Sequence, residues 1–145
     1  MFSQDFKEFI ESLNANRVRY LIVGGYAVAF HGHPRYTKDL DVWIDRTPQN
    51  AARVVNALAD FGFGSLDVNA DDFLTPDRII QLGLPPARID ILTTLPGVEF
   101  KNCFPKRNRV TMDGIPVNFI DLGNLRKNKK TVGRKQDLAD LEKLE

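Results

Sequence analysis

The segment Asp39-Leu-Asp-Val-Trp-Ile44 alternates without interruption between apolar positions and positions of a different kind. In an extended strand successive side chains leave on opposite faces, so Leu40, Val42 and Ile44 share one face while Asp39, Asp41 and Trp43 share the other. The first face demands a hydrophobic layer against it. The second carries two carboxylates whose repulsion disfavours both charges at once. Such a pair is tolerated when it is fully solvated, neutralised by bases, or bridged by a divalent cation such as Mg²⁺, which takes one or two carboxylates together with substrate phosphates.

Upstream, Val18 to Val23 reads as an apolar strand that Gly24-Gly25 breaks, and Tyr26 to Phe30 reads as a short helix ended by Gly32 and Pro34. Before this unit, Phe2, Phe6, Phe9, Ile10 and Leu13 recur at helical spacing and predict an amphipathic helix over residues 3 to 15. Downstream, Thr47-Pro48 pairs an N-cap hydroxyl with proline at the first helical position; Val54, Val55, Leu58 and Phe61 supply the buried stripe, and Gly62 and Gly64 close the helix. Residues 65 to 76 read as a polar loop holding at most one helical turn. Two short strands follow, Arg78 to Leu82 and Ala87 to Leu92, separated by Gly83 and Pro85-Pro86. From Pro96 to Pro105 the pattern is irregular. Asp113-Gly114 between Arg109–Met112 and Ile115–Ile120 predicts a tight hairpin. Asp121 caps a basic helix through Lys130, and after Gly133 a last helix presents Leu138, Leu141 and Leu144.

The 145 residues, 43% of them hydrophobic, suffice for one core without a disulfide or structural metal. Cys103 is the single cysteine, which excludes an intrachain disulfide framework and a zinc site built on cysteines. No apolar run approaches the roughly 20 residues needed to cross a bilayer, so the expected setting is cytoplasmic, with no membrane. A formal net charge of +1 hides a strong asymmetry: residues 101 to 135 hold ten Lys or Arg against Asp113 and Asp121, net +8, and the remainder carries −7. An anionic partner, nucleotide or nucleic acid, would use such a segment; a solvated basic helix face would equally account for it.

Asp90, flanked by Ile89 and Ile91, projects away from its apolar neighbours just as Asp39 and Asp41 do. The Gly24-Gly25 turn adds backbone N–H groups and a positive helix end, where an anion can approach without a side chain intervening. It is no Walker loop, since no Lys-Ser or Lys-Thr follows, and it lacks the third glycine of a dinucleotide fingerprint. Taken together, Gly24-Gly25, thirteen intervening residues, Asp39-Leu-Asp41-Val42 and the distant Ile89-Asp90-Ile91 resemble the pattern of the DNA polymerase beta-like nucleotidyltransferase superfamily. The resemblance spans roughly residues 18 to 92 and is closest to the small bacterial nucleotidyltransferases, including those related to the enzymatic half of abortive-infection toxin–antitoxin pairs. Arg35-Tyr-Thr-Lys-Asp39 is similar to the Arg-x-Thr-x-Asp lead-in common there, and Arg134-Lys-Gln-Asp137-Leu-x-Asp140-Leu to the C-terminal helix of such proteins.

The resemblance implies an α/β (α+β) fold, a mixed sheet flanked by helices, as a single domain over residues 1–145 with its catalytic core at 18–92 and a C-terminal hairpin and basic helices at 106–145. It further implies transfer of a nucleoside monophosphate from a nucleoside triphosphate such as ATP to an acceptor hydroxyl on an RNA end, a protein or a small molecule. Two Mg²⁺ or Mn²⁺ ions roughly 3.5 to 4 Å apart would clamp the attacking and leaving oxygens. On this pattern Asp39 and Asp41 bind both ions, and Asp90 holds the ion at the acceptor hydroxyl and can receive its proton. Gly24 and Gly25 cradle the triphosphate, and Lys127, Lys130 or Arg134 neutralises the departing pyrophosphate. Arg35 and Lys38 either contact a phosphate or balance the acids. So short a chain leaves room for an acceptor or a partner subunit to complete the site.

Other residues read more simply. His31-Gly-His33 lacks further ligands for a metal and fits a polar loop. Trp43 either packs on the sheet or stacks a base. Tyr26 and Phe30 read as helix core. Two alternatives to an enzyme stay open: a non-catalytic nucleotide-binding or interaction module of the same fold, and an RNA-binding protein led by the basic segment.

Overall fold

A computed structural model describes residues 2–32, 37–64, 67–83 and 88–144. Six strands form one mixed sheet: β1 (Tyr20–Val23), β2 (Leu40–Ile44), β3 (Ile79–Leu82), β4 (Ile89–Leu92), β5 (Asn108–Met112) and β6 (Ile115–Phe119), in the spatial order β3-β4-β2-β1-β6-β5. The central pair β1 and β2 is antiparallel, β2 with β4 and β1 with β6 are parallel, and both outer pairs are antiparallel. This is the mixed sheet flanked by helices that the resemblance implies.

The helices are α1 (Gln4–Ala15), α2 (Gly24–Phe30), α3 (Pro48–Leu58), α4 (Phe100–Cys103), α5 (Leu122–Val132) and α6 (Lys135–Leu144). The predicted caps at Thr47 and Asp121 are in place, and Ser3, expected within the first helix, caps it instead. The Ser3, Thr47 and Asp121 side chains accept the N–H groups of Phe6, Asn50 and Asn124, which removes an unpaired donor at each helix start. Phe6, Phe9, Ile10 and Leu13 of α1 and Ala51, Val54, Ala57 and Leu58 of α3 join Leu40, Val42 and Ile44 in the core; Val55 and Phe61 are half-buried at its margin. Tyr26 is buried, and Phe30 stacks on Phe119 with ring centroids 4.2 Å apart. At the hairpin, Asp113 and Gly114 both take positive φ, 53° and 83°, as the tight turn requires. A single turn of 3₁₀ helix at Ala70–Phe73 is the helical turn expected within the polar loop.

Two expectations need correction. The stretch from Pro96 to Pro105 is not irregular throughout: α4 and a 3₁₀ turn at Phe104–Lys106 occupy it. One turn is too short to show periodicity, and what fixes it is tertiary, since Phe100 meets Trp43 edge-on at 5.1 Å and Cys103 is fully buried. The last helix does not dock through all three leucines either. Leu144 is buried and Leu141 half-buried, but Leu138 is 50% exposed, and the remaining buried residues of α6 are Asp137 and Asp140. Lys129 of α5 is the reason: its buried ammonium donates to Asp137 Oδ1 and lies 3.1 Å from Asp140 Oδ2, so charge as well as leucine seats this helix.

Candidate active site

Parallel pairing of β2 with β4 sets Asp41 directly beside Asp90, one step along from Leu40 beside Ile89. Both carboxylates rise from the same face of neighbouring strands, and Asp39 stands just before β2 on that face. Antiparallel pairing of β1 sets Val23 opposite Asp41, so the chain leaves β1 and enters α2 at the level of the acids. Gly24 makes the turn with φ +66°, and a Cβ there would come 2.1 Å from Asp41 Oδ2. Glycine is therefore required twice over, for its backbone conformation and for the close approach of the carboxylate. No side chain caps α2, so its leading N–H groups are not claimed by a side-chain acceptor.

Arg88 ties two of the three acids together. Its Nε donates to Asp90 Oδ1 at 2.8 Å, and one terminal nitrogen donates to Asp90 Oδ2 at 3.2 Å and Asp39 Oδ2 at 3.1 Å. This residue was legible in the alternation, since Arg88 and Asp90 are two apart on one strand direction and share a face, yet charge clusters drew attention elsewhere. Among the described residues Asp41 receives no such partner. Burial first, then the charges of Asp90 and Asp39, push its carboxyl up to about 7, with Lys129 and Arg88 partly offsetting them. Lys129 is thus a lysine of α5 whose charge reaches the acids, whereas the sequence points to its neighbours Lys127 and Lys130, and for the departing phosphates.

Of the basic candidates, Arg134 also faces Asp41 electrostatically while its guanidinium holds Asp137. Asp137 stays below the usual carboxylate range: burial opposes this, and hydrogen bonds from Arg134 and Lys129 outweigh it. Lys127 and Lys130 are exposed on α5, with Lys127 turned toward a separate groove. Lys38 is exposed beside Asp39 in sequence, and Arg35 lies outside the described residues, as does His33. His31 bonds the Ile120 carbonyl through Nε2 at 2.7 Å, which accounts for it structurally. The base-stacking reading of Trp43 does not hold, because the indole is only 2% exposed beneath Phe100.

Among the described residues no group of three or more His, Cys, Asp and Glu side chains is placed so that it could hold a metal ion. The donor set nevertheless suits Mg²⁺ or Mn²⁺ in kind. It consists of hard carboxylate oxygens, and Mg²⁺ keeps several waters and substrate oxygens rather than filling its shell from protein. Asp41 is the half-buried member of this set, its carboxyl raised to about 7 by burial and by the neighbouring acids.

No protein-family model matches the chain, and no curated protein sequence matches it. Solved structures do. A provisionally assigned nucleotidyltransferase from Thermotoga maritima superposes with a TM-score of 0.62 at 17% identity, covering 95% of this chain and 88% of that one. An antigenic nucleotidyltransferase-like protein from Paracoccidioides brasiliensis gives 0.55 at 14% identity, covering 97% of this chain and 74% of that one. At such identities the likeness defines the fold: this is a nucleotidyltransferase-like α/β domain.

Proposed function

We propose that this protein is a metal-dependent nucleotidyltransferase. The observation that carries the reading is the registration of Asp41 beside Asp90, with Asp39 bound into the same cluster and Gly24 packed against the Asp41 carboxylate. Two Mg²⁺ or Mn²⁺ ions would supply polarisation of the attacking and leaving oxygens. Asp39 and Asp41 would hold them, and Asp90 would serve the acceptor side, with Arg88 beside Asp39 and Asp90 as the positive charge already present there. The Gly24-Gly25 turn admits the triphosphate without a side chain in the way. As the acceptor oxygen bonds to the α-phosphorus, the bond to pyrophosphate breaks and Asp90 takes the acceptor's proton. Arg134, three-quarters exposed at the α5–α6 junction and within electrostatic reach of Asp41, is the cation assigned to the departing phosphates. Lys129, clamped by Asp137 and Asp140, acts as a fixed positive field behind Asp41 rather than as a mobile ligand group.

The binding half of this reading is tested by thermal unfolding with Mg²⁺ and each nucleoside triphosphate. A ligand at 100 times its dissociation constant adds about 2.7 kcal/mol to stability. Wild type should gain several degrees with metal and nucleotide together and Asp41→Asn none. Indifference of the wild type to every combination would overturn the site.

A further inference from the structure

Of the ten basic residues between positions 101 and 135, half are committed to internal contacts. Lys129 and Arg134 hold Asp137, Arg109 donates to Asn118, Arg126 to the Leu144 carbonyl, and Arg107 to the Phe104 carbonyl while lying 4.0 Å over its ring. Three of the remainder, Lys101, Lys106 and Lys127, come from α4, the 3₁₀ turn after it and α5, and they converge on one open groove of about 810 Å³. Its wall also includes Asn102, Asn124 and, as the one acid among the described residues, Glu99, which stands 3.9 Å from Lys101. Among the described residues Lys106 and Lys127 have no ion-pair partner. None of the three site acids lines the groove. Lys127 and Lys129 are two residues apart on α5 and so point about 200° from one another, one to the groove and the other toward Asp41.

We infer that this groove between α4 and α5 binds the phosphodiester backbone of a single-stranded nucleic acid. The volume far exceeds one phosphate, and the lining is polar, unlike the apolar pockets that take most small ligands. Lysines act as point charges without the fork geometry that selects one anion orientation, which suits a repeating polyanion. Among the described residues no aromatic ring lines the groove, and Phe104 nearby is occupied by Phe100, Arg107 and Arg19. Bases therefore have no stacking platform, and recognition runs through phosphates with little dependence on sequence. The surface lies on the same side of the sheet as the acids, since Phe100 of α4 packs on Trp43, which shares the face of Asp41. The inference stands apart from the transfer chemistry and needs no metal.

The test is fluorescence anisotropy of labelled twelve-residue oligouridylate and oligothymidylate in EDTA, across a salt series. For single strands the slope of log K against log salt is about −0.7 per phosphate neutralised. Lys106→Gln with Lys127→Gln should weaken binding on the order of tenfold and make the slope shallower by about 1.4. Lys135→Gln with Lys143→Gln, an equal loss of charge on exposed α6, should change affinity less than twofold, and Asp39→Asn should leave it in place while abolishing metal-dependent nucleotide stabilisation. Equal losses for the two lysine pairs would reduce the effect to net charge and overturn the groove. So would the absence of oligonucleotide binding by wild type, or inorganic phosphate competing at concentrations matching those of oligonucleotide phosphate, which would point to a small phosphorylated ligand instead.

Discussion

Removing the charge from Asp41 should stabilise the metal-free protein at high pH, although Asp41 is the residue on which nucleotide binding is proposed to depend. Its carboxyl is raised from an ordinary 3.8 to about 7, chiefly by burial and then by Asp90 and Asp39. A carboxyl raised on folding keeps its proton in the native state while the unfolded chain has already released it. Its contribution to stability is therefore full below pH 4 and is lost as pH rises toward 7. Each pH unit in that window costs 1.36 kcal/mol per proton, so between pH 5 and pH 7 the ceiling is about 2.7 kcal/mol. Arg88 and solvent reduce this, and about 1 to 2 kcal/mol is expected. The assay is urea unfolding in EDTA at pH 5, 6, 7 and 8 for wild type and Asp41→Asn. The stability difference should move in favour of the variant as pH rises, and saturating Mg²⁺ should restore the wild type alone. A difference that is flat with pH, or one that moves toward the wild type in EDTA, would refute the electrostatic account of the cluster.

Other perturbations follow the same geometry. Arg88→Met leaves Asp90 buried beside Asp41 without its partner, so the metal-free protein should lose stability in urea unfolding, while Mn²⁺ affinity, read by electron paramagnetic resonance, should rise. Gly24→Ala combines a positive φ with contact against Asp41 and should cost at least 1 to 2 kcal/mol in denaturant unfolding and remove the stabilisation by metal and nucleotide. Lys129→Met takes the buried ammonium from between Asp137, which keeps Arg134, and Asp140, which keeps Gln136, so it should destabilise by less than the roughly 3 to 5 kcal/mol of a fully broken buried pair, with recovery when Asp137→Asn and Asp140→Leu accompany it.

Alternation and glycine punctuation made the acid-bearing part of the sheet legible. Period-two patterning is local, so Asp39, Asp41 and Asp90 could be put on the right faces from Leu40, Val42, Ile44, Ile89 and Ile91 alone. Pairing partners are not local. That Asp41 lies beside Asp90 rather than several residues away follows from β2–β4 register, which no pattern within either strand states. The α6 interface was misread because three leucines at helical spacing outweigh two aspartates on any hydrophobic pattern, and only the position of Lys129 in space reverses that weighting. The charge asymmetry of residues 101 to 135 was visible, but its division into internally paired arginines and a lysine-lined groove depends on α4, a helix of one turn.

The most direct measurement of the central claim is transfer of label from each α-³²P nucleoside triphosphate, with Mg²⁺, to the RNA, protein and small-molecule fractions of a cell extract. Wild type should label one fraction with release of pyrophosphate, Asp41→Asn should bind no metal-nucleotide and transfer nothing, and Asp90→Asn should keep most nucleotide affinity while transfer falls by about 100-fold or more. Wild type that binds metal and nucleotide as well as Asp90→Asn does, and transfers label to none of the three fractions, would contradict the assignment of these acids to catalysis.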